Sequence, residues 1–406
     1  MSKNIALFIM PRSSKAWKGS EALWITVAGW ARAAERKFGN AAVVTTDDMV
    51  TASEAMDFPR GLSSHHKAKS RFIKFLPEVF KTFLKDLRQY RYSRNKSHYQ
   101  KFRSEFKEHP IFIWEHHDIF PGLGRKIADQ FGVPLITYVH APQVWEASKW
   151  GVKRPIWGQW IEKRFEAESL RRTDLVACVS EEVAQKLKAM GIQEKKILVS
   201  PMAVDQDRFL SIERDDSLIS AMNLKDKFVV GWTGSFRRFH GVDILVRAFK
   251  RLFDINQKVA LLLVGDGHGK QEIKELVRSL GISETVVFAG RKNFSEIPKY
   301  VALFDAAVVS ANSKEGFHYS PLKLREYMCG GVPSLAPDAG EIPYVFKHKE
   351  NIFMYKTGDV DDLFFKLNEV LHDAKLRNSV GENGQGFILN NGTWDHELNR
   401  ALRKVM

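Results

Sequence analysis

Short β-branched and aliphatic runs alternate with amphipathic helical patterns along this 406-residue chain, and that alternation leaves few folds open. Candidate strands fall at residues 5–10, 41–46, 111–115, 134–139, 174–179 and 197–200, with a second series at 228–232, 259–265, 285–290, 305–310 and 332–336. Between strands the period changes to that of a helix. Residues 242–253, for example, set Ile244, Leu245, Ala248, Phe249 and Leu252 on one stripe. Strands separated by helices build parallel, doubly wound α/β sheets, and unbroken apolar strands such as 260–264 suit sheets covered on both faces. A single core stops growing well below 406 residues, so the two series predict two domains joined at the turn-rich stretch 201–209. Ligands of such sheets bind at the carboxyl ends of the strands, and two domains facing each other enclose a cleft between those ends.

Charge enters the argument through one segment. The formal net charge is +14, and residues 60–108 carry fourteen Lys/Arg against four Asp/Glu. That segment also breaks the strand–helix alternation. After Pro77, the residues Val79, Phe80, Phe83, Leu84 and Leu87 recur at helical spacing, with Lys81, Lys85, Arg88 and Arg91 opposite. Two readings stand side by side: a solvated helix packed on the first sheet, or a basic surface for an anionic membrane or a lipid-linked acceptor. No nucleic-acid motif accompanies the charge, so no nucleic-acid partner is expected. No apolar run reaches the roughly 18 residues of a membrane span, residues 1–11 read as a strand without a leader cleavage site, and the two cysteines, Cys178 and Cys329, sit in apolar contexts. A cytoplasmic protein, peripheral on the inner face of a membrane, is the expectation.

The chemistry concentrates between residues 310 and 336. Ser320 and Pro321 predict an N-cap and first helical residue for a helix leaving the carboxyl end of a strand. The free amides and dipole of such a terminus make an anion site. Lys323 adds a cation in the first turn, and Glu326 follows on the same face, where a carboxylate can accept the two hydroxyls of a ribose. On this pattern alone a capped helix with a surface Lys–Glu pair is the competing reading. A second loop, residues 231–241, places Gly234 and Ser235 beside the cationic donors Arg237, Arg238 and His240, and opposite Lys323 it would clamp a diphosphate.

Gly234, His240-Gly241-Val242-Asp243, Val264-Gly265-Asp266-Gly267, Val287-Phe288-Ala289-Gly290, residues 320–328 and Gly331-Val332-Pro333 follow one another in an order that resembles the donor domain of glycosyltransferase family four. The likeness extends to Tyr138-Val139-His140, residues 174–180, Ser200-Pro201, Val204-Asp205, Phe209 and Trp394. It is specific over about residues 130–345, loose over 1–50 and absent from the basic segment. The resemblance implies a GT-B fold, α/β with two doubly wound Rossmann-like domains facing across a cleft. Its boundaries would be an acceptor-side domain at 1–205 with a basic insert at about 55–108, a nucleotide-sugar donor domain at 206–390, and a helix at 391–406 crossing back to the first domain. It further implies a retaining, metal-independent transferase without a cofactor, moving a sugar from a nucleotide sugar to a saccharide or lipid-linked acceptor in cell-envelope polysaccharide or glycoconjugate synthesis.

By the same resemblance, Glu326 holds the donor ribose and Lys323 a phosphate. The backbone at Gly290 and Arg291 meets the base, and His140 lies at the donor sugar. Arg238 joins His140 and Lys323 as a catalytic candidate, and Tyr319 and Leu322 complete the donor set with Ser320 and Pro321. Three positions depart from the family pattern. Ser235 and His240 stand where an Arg and a Lys are usual, with Arg237 or Arg238 able to compensate. His318 stands at the first of the usual paired glutamates, with Glu315 nearby. Met202-Ala203 replaces an Asn-Gly. In the first domain, Gly19 lets its loop approach the donor or acceptor, and Glu115, His116 and His117 end a strand on the acceptor side. Two other readings remain open at this level: a nucleotide-sugar epimerase or hydrolase of the same fold, and a non-catalytic basic adaptor for membrane or nucleic acid.

Overall fold

The computed structural model of the chain describes residues 4–11, 21–46, 48–57, 76–93, 108–315, 317 and 320–406. They form two compact units: Met1–Pro201 with Trp394–Met406, and Met202–Thr393.

In the first unit the strands are β1 (Asn4–Ile9), β2 (Ala41–Val44), β3 (Met49–Thr51), β4 (His109–His116), β5 (Leu135–Val139), β6 (Leu175–Cys178) and β7 (Ile197–Val199). They lie in the order β3-β2-β1-β4-β5-β6-β7. All pairings are parallel except β2 with β3, where the short strand Met49–Thr51 turns back antiparallel at the edge. β1, β2, β5 and β6 are almost wholly buried, as strands covered on both faces must be.

The chain's last helix, Trp394–Leu402, belongs to this unit. Trp394 packs on Trp30 at 4.8 Å between ring centroids, and a Cβ on Gly29 would stand 2.2 Å from its indole nitrogen. Only glycine leaves room there, which is why the helix Glu21–Phe38 carries one in mid-span. Ser200 donates to Glu397 at 2.7 Å, and Arg36 pairs with Asp395.

The basic segment contributes the helix Glu78–Ser93. Its inward side is polar rather than the apolar stripe. Buried Asp86 accepts from Arg154 Nε at 2.8 Å and from the Trp157 indole at 3.0 Å, while Gln89 donates to Asp118 at 2.5 Å. Removing one member of such a buried ion pair costs about 3–5 kcal/mol, enough to fix the helix orientation. Phe80, Phe83 and Leu84 consequently face outward at 47%, 41% and 37% exposure. The remaining residues of the segment, 58–75 and 94–107, lie outside the described residues.

In the second unit the strands are β8 (Phe228–Thr233), β9 (Val259–Val264), β10 (Val286–Gly290), β11 (Ala306–Val308), β12 (Ser334–Pro337) and β13 (Phe353–Tyr355). The order is β10-β9-β8-β11-β12-β13, all parallel. β9 is buried along its whole length, and the helix Val242–Ile255 turns Val242, Leu245, Val246, Ala248, Phe249 and Leu252 into the core. The strands β3 and β13, each a three-residue strand at the edge of its sheet, escape the sequence reading. No helix among the described residues is long and apolar enough to cross a membrane.

Candidate functional site

In the second sheet the strand order reverses between β8 and β11. Loops leaving the two strands diverge, and the gap between them at the carboxyl edge is where doubly wound sheets bind ligands. Both loops carry the motifs read from the sequence. Gly234, Gly265 and Gly267 hold φ of +145°, +143° and +156°, conformations that side chains oppose. A Cβ on Gly265 would stand 1.8 Å from the Gly234 carbonyl oxygen, one on Gly267 2.8 Å from the Phe236 nitrogen, and one on Gly269 2.6 Å from the Phe236 carbonyl oxygen. The loops after β8 and β9 thus lie backbone against backbone, and the glycines are a steric requirement.

Lys323 stands over this floor, in the first turn of the helix Leu322–Cys329. Among the described residues its Nζ is buried without a hydrogen-bond partner, 4.4 Å from the Trp232 ring centroid, and a Cβ on Gly234 would come within 2.8 Å of it. Burial pushes the amine down to about 7, with Glu326 one turn away partly offsetting the shift. Burial likewise pushes the Glu326 carboxyl up to about 7 against the cations of Arg208 and Lys323. The His240 imidazole is neutral: burial drives it down to about 2, and Lys323 and Arg237 add to the effect. A buried amine without a hydrogen-bond partner is costly. Beside it lie the first amides of a helix, which find no acceptor in their own helix. Together they form a site that an anion completes.

The helix start differs from the sequence expectation. Pro321, with ψ 108°, occupies the cap position, and the helix begins at Leu322. Ser320 does not cap it, because its hydroxyl is engaged elsewhere: it accepts the Met202 amide at 3.1 Å and donates to Glu341 at 2.6 Å. Glu341 in turn holds buried Arg325 at 2.8 Å. Tyr327 ties the helix to the end of β8 by accepting the Thr233 amide at 2.7 Å.

The other expected donor residues are placed as follows. Ser235 is half-buried on the glycine floor and Arg237 is exposed beside it. Arg238 is 86% exposed at its side chain and pairs with Glu272 at 3.4 Å. Glu315 is exposed, its amide donating to Ser313. Gly290, at φ +73°, accepts the Gly265 amide at 2.9 Å, and exposed Arg291 follows it. Gly19, His318 and Tyr319 lie outside the described residues. Sequence reasoning passes over Arg208, whose guanidinium stacks 3.4 Å from the Phe294 ring centroid and lies beside Glu326. The one signal for it is its place in the stretch from Asp205 to Phe209.

In the first unit, β5 delivers His140 and β4 delivers Glu115, His116 and His117. The rings of His116 and His140 are 5.4 Å apart, and the Nε2 of each is buried without a hydrogen-bond partner. Burial holds His140 down to about 4 and His116 well below the usual range, so both are neutral. His117 turns away to Glu166 at 3.0 Å, and Asp118 is taken by Gln89 and the Ile119 amide. Among the described residues, no group of three or more His, Cys, Asp or Glu side chains could hold a metal ion. Glu115 accepts the Gly124 amide at 3.2 Å, and burial raises its carboxyl to about 7.

Comparison with known proteins matches these features. A model of the family "Glycosyl transferases group 1" matches residues 216–387, and one of "Glycosyltransferase Family 4" matches residues 78–208. Among curated relatives, the N-acetyl-alpha-D-glucosaminyl L-malate synthase of Bacillus anthracis is 30% identical over 155 residues, 38% of this chain and 39% of that protein. The D-inositol 3-phosphate glycosyltransferase of Actinosynnema mirum is 25% identical over 59% of this chain and 58% of its own. The chain spans about two-fifths of the length of the first curated relatives it matches. Among solved structures, sucrose-phosphate synthase from Thermosynechococcus elongatus superposes with a TM-score of 0.65 at 16% identity, covering 99% of this chain and 98% of that one. Anabaena HepE, solved in complex with UDP, gives 0.62 at 17% identity, covering 98% of both chains. With the GT-B fold in common, the chain carries a group 1 glycosyltransferase domain in its second unit and a family four glycosyltransferase domain mainly in its first.

Proposed function

We propose that this chain transfers a sugar, with retention of anomeric configuration and without a metal, from a nucleoside-diphosphate sugar held by its second unit to a saccharide or lipid-linked acceptor. The observation that carries the reading is the buried, partnerless Lys323 amine over the glycine floor, at the strand-order reversal of the sheet. A diphosphate supplies its missing counter-charge. In that arrangement Lys323 and the first helix amides stabilise the departing diphosphate as negative charge develops on it, which is where preorganised donors lower a barrier most. Glu326 accepts the ribose hydroxyls and Arg208 keeps its carboxylate oriented. The acceptor hydroxyl attacks from the leaving-group side and yields its proton to the diphosphate, so no enzyme carboxylate acts as nucleophile.

Relatives named for glycolipid and lipopolysaccharide synthesis support an acceptor in the cell envelope. The exposed Phe80, Phe83 and Leu84 beside Lys85 and Arg88 support attachment to the inner face of a membrane. The test is a thermal-shift screen of UDP-, GDP- and ADP-sugars on wild type and Glu326→Ala. One base series should raise the wild-type midpoint, since a ligand of the folded state stabilises it by mass action. Glu326→Ala should weaken that ligand about tenfold or more. No shift with any donor, or equal shifts in both proteins, would sink the reading. Rapid donor turnover without acceptor would instead indicate a hydrolase or epimerase.

A further inference from the structure

A cavity of about 490 Å³ opens in the first unit, between its sheet and the helices that cover β4 and β5. That volume lies in the range of small-molecule sites, roughly 300–1,000 Å³. Its lining residues all belong to the first unit, so it shares none with the Lys323 site.

Three features of the wall are chemical. First, Arg164 and Arg172 both line it and are exposed, and their guanidiniums have no ion-pair or hydrogen-bond partner among the described residues. The other charges around the cavity are engaged. Arg125 pairs with Asp129 at 2.7 Å and Asp174 at 2.9 Å, Asp118 takes Gln89 and the Ile119 amide, and Glu168 faces Arg171 at 3.5 Å. Two guanidiniums are thus left over, and Arg164 rides on a π-helical turn, Glu162–Glu166, a local distortion frequent at functional sites.

Second, Glu115 is buried in the floor. A Cβ on Gly122 would stand 2.0 Å from its Oε1, and one on Gly124 2.6 Å from its Oε2. The loop after β4 is therefore shaped around this carboxyl, with the paired hydroxyls of Thr137 and Thr173 beside it at 2.8 Å from each other. Third, Tyr90, Phe120 and Phe165 form an edge-to-face cluster of rings inclined 61–75° to one another, with centroids 5.2–5.5 Å apart, along the same cavity. An aromatic wall suits the C–H face of a pyranose, a buried carboxyl suits its hydroxyls, and guanidiniums without a counter-charge suit a phosphate.

We propose that this cavity binds a monosaccharide phosphate, with the phosphate between Arg164 and Arg172 and a sugar hydroxyl on Glu115. The assignment is independent of the donor reading. Burial keeps the Glu115 carboxyl near 7, so at neutral pH it donates as well as accepts, and it repels an anionic ligand less than a full carboxylate would.

Calorimetric titration of the full chain with glucose 6-phosphate, mannose 1-phosphate and glucose 1-phosphate tests it, with glucose and inorganic phosphate as controls. At least one sugar phosphate should bind at one site per chain, more tightly than either control. Arg164→Ala/Arg172→Ala should weaken it about tenfold or more. Both arginines are exposed, so this variant should melt like wild type, and its titration with UDP should be unchanged. Three outcomes overturn the proposal: no sugar phosphate binding better than inorganic phosphate, equal binding by wild type and the double variant, or binding that saturating UDP abolishes. A loss of UDP binding in wild type would instead strike the donor reading and leave this one standing.

Discussion

Lys323 shows how much one side chain can reveal when its surroundings are inconsistent with it. A lysine amine that burial has pushed from 10.5 to about 7 costs the ligand-free fold stability. The sign follows from proton binding. Below about pH 7 both folded and unfolded chains are protonated at Lys323, and the penalty is complete. Between about 7 and 10.5 the unfolded chain binds the proton that the folded one lacks, so stability contributed at this residue rises with pH across that window. Lys323→Met should therefore raise the melting midpoint of the ligand-free chain near pH 7 while abolishing the shift produced by a nucleoside diphosphate. A lower midpoint would contradict the unpaired-amine description. In wild type, a bound diphosphate should hold Lys323 protonated. Affinity should fall as pH rises above about 7, and calorimetry in buffers of different ionisation enthalpy should register proton uptake near neutrality. No uptake would place the phosphates elsewhere.

At the scale of elements, the donor site is held by contacts between loops. The turn after β8 and the turn after β9 touch through backbone alone, so a methyl group at Gly265 must push the Gly234 carbonyl away. Gly265→Ala should lower the free energy of unfolding by about 1–3 kcal/mol, the usual cost of a side chain forced into such a backbone conformation. It should also weaken diphosphate binding, because Gly234 forms the floor beneath Lys323. Urea denaturation and titration with UDP check both. A variant that is destabilised but binds normally would show that the floor does not contact the ligand. The helix Glu78–Ser93 obeys a different logic. Its stripe of Val79, Phe80, Phe83, Leu84 and Leu87 was legible, yet the side turned inward is chosen by Asp86, whose two partners, Arg154 and Trp157, lie about seventy residues on. A periodic pattern reports that a helix is amphipathic, and a distant ion pair decides which side it presents.

For the whole molecule, that inversion has a consequence at surfaces. Phe80, Phe83 and Leu84 stand outward beside Lys85 and Arg88. Ile156 and Trp160, at 97% and 59% exposure, lie on the segment that Phe83 reaches through Trp157, 5.5 Å away. Each basic residue near an anionic bilayer is worth about 1 kcal/mol, and exposed apolar side chains add salt-resistant anchoring. Sedimentation with anionic vesicles should retain wild type at high salt, release Phe83→Asp/Trp160→Asp when salt is raised, and show the largest loss of Lys81→Glu/Lys85→Glu/Arg88→Glu at low salt, where its repulsion is unscreened. Equal partitioning to neutral and anionic vesicles would remove the membrane from the description.

The sequence by itself determined the two-sheet α/β architecture, eleven of the strands, the glycine loops and the helix bearing Lys323 and Glu326. Each of these is written in local signals: a period, a run of apolar residues, a glycine where backbone must approach backbone. Tertiary structure alone decided the rest. The three-residue strands Met49–Thr51 and Phe353–Tyr355 exist because a neighbouring strand offers its edge. Ser320 leaves the helix cap because Glu341 and the Met202 amide hold its hydroxyl. Arg208 reaches Glu326 because Phe294, more than eighty residues away, holds its guanidinium. Among the described residues, the free guanidiniums of Arg164 and Arg172 emerge only once the charges around them have found their partners. Pairings between residues far apart in the chain are energies of proximity, and a linear order of residues carries no distances from which to read them.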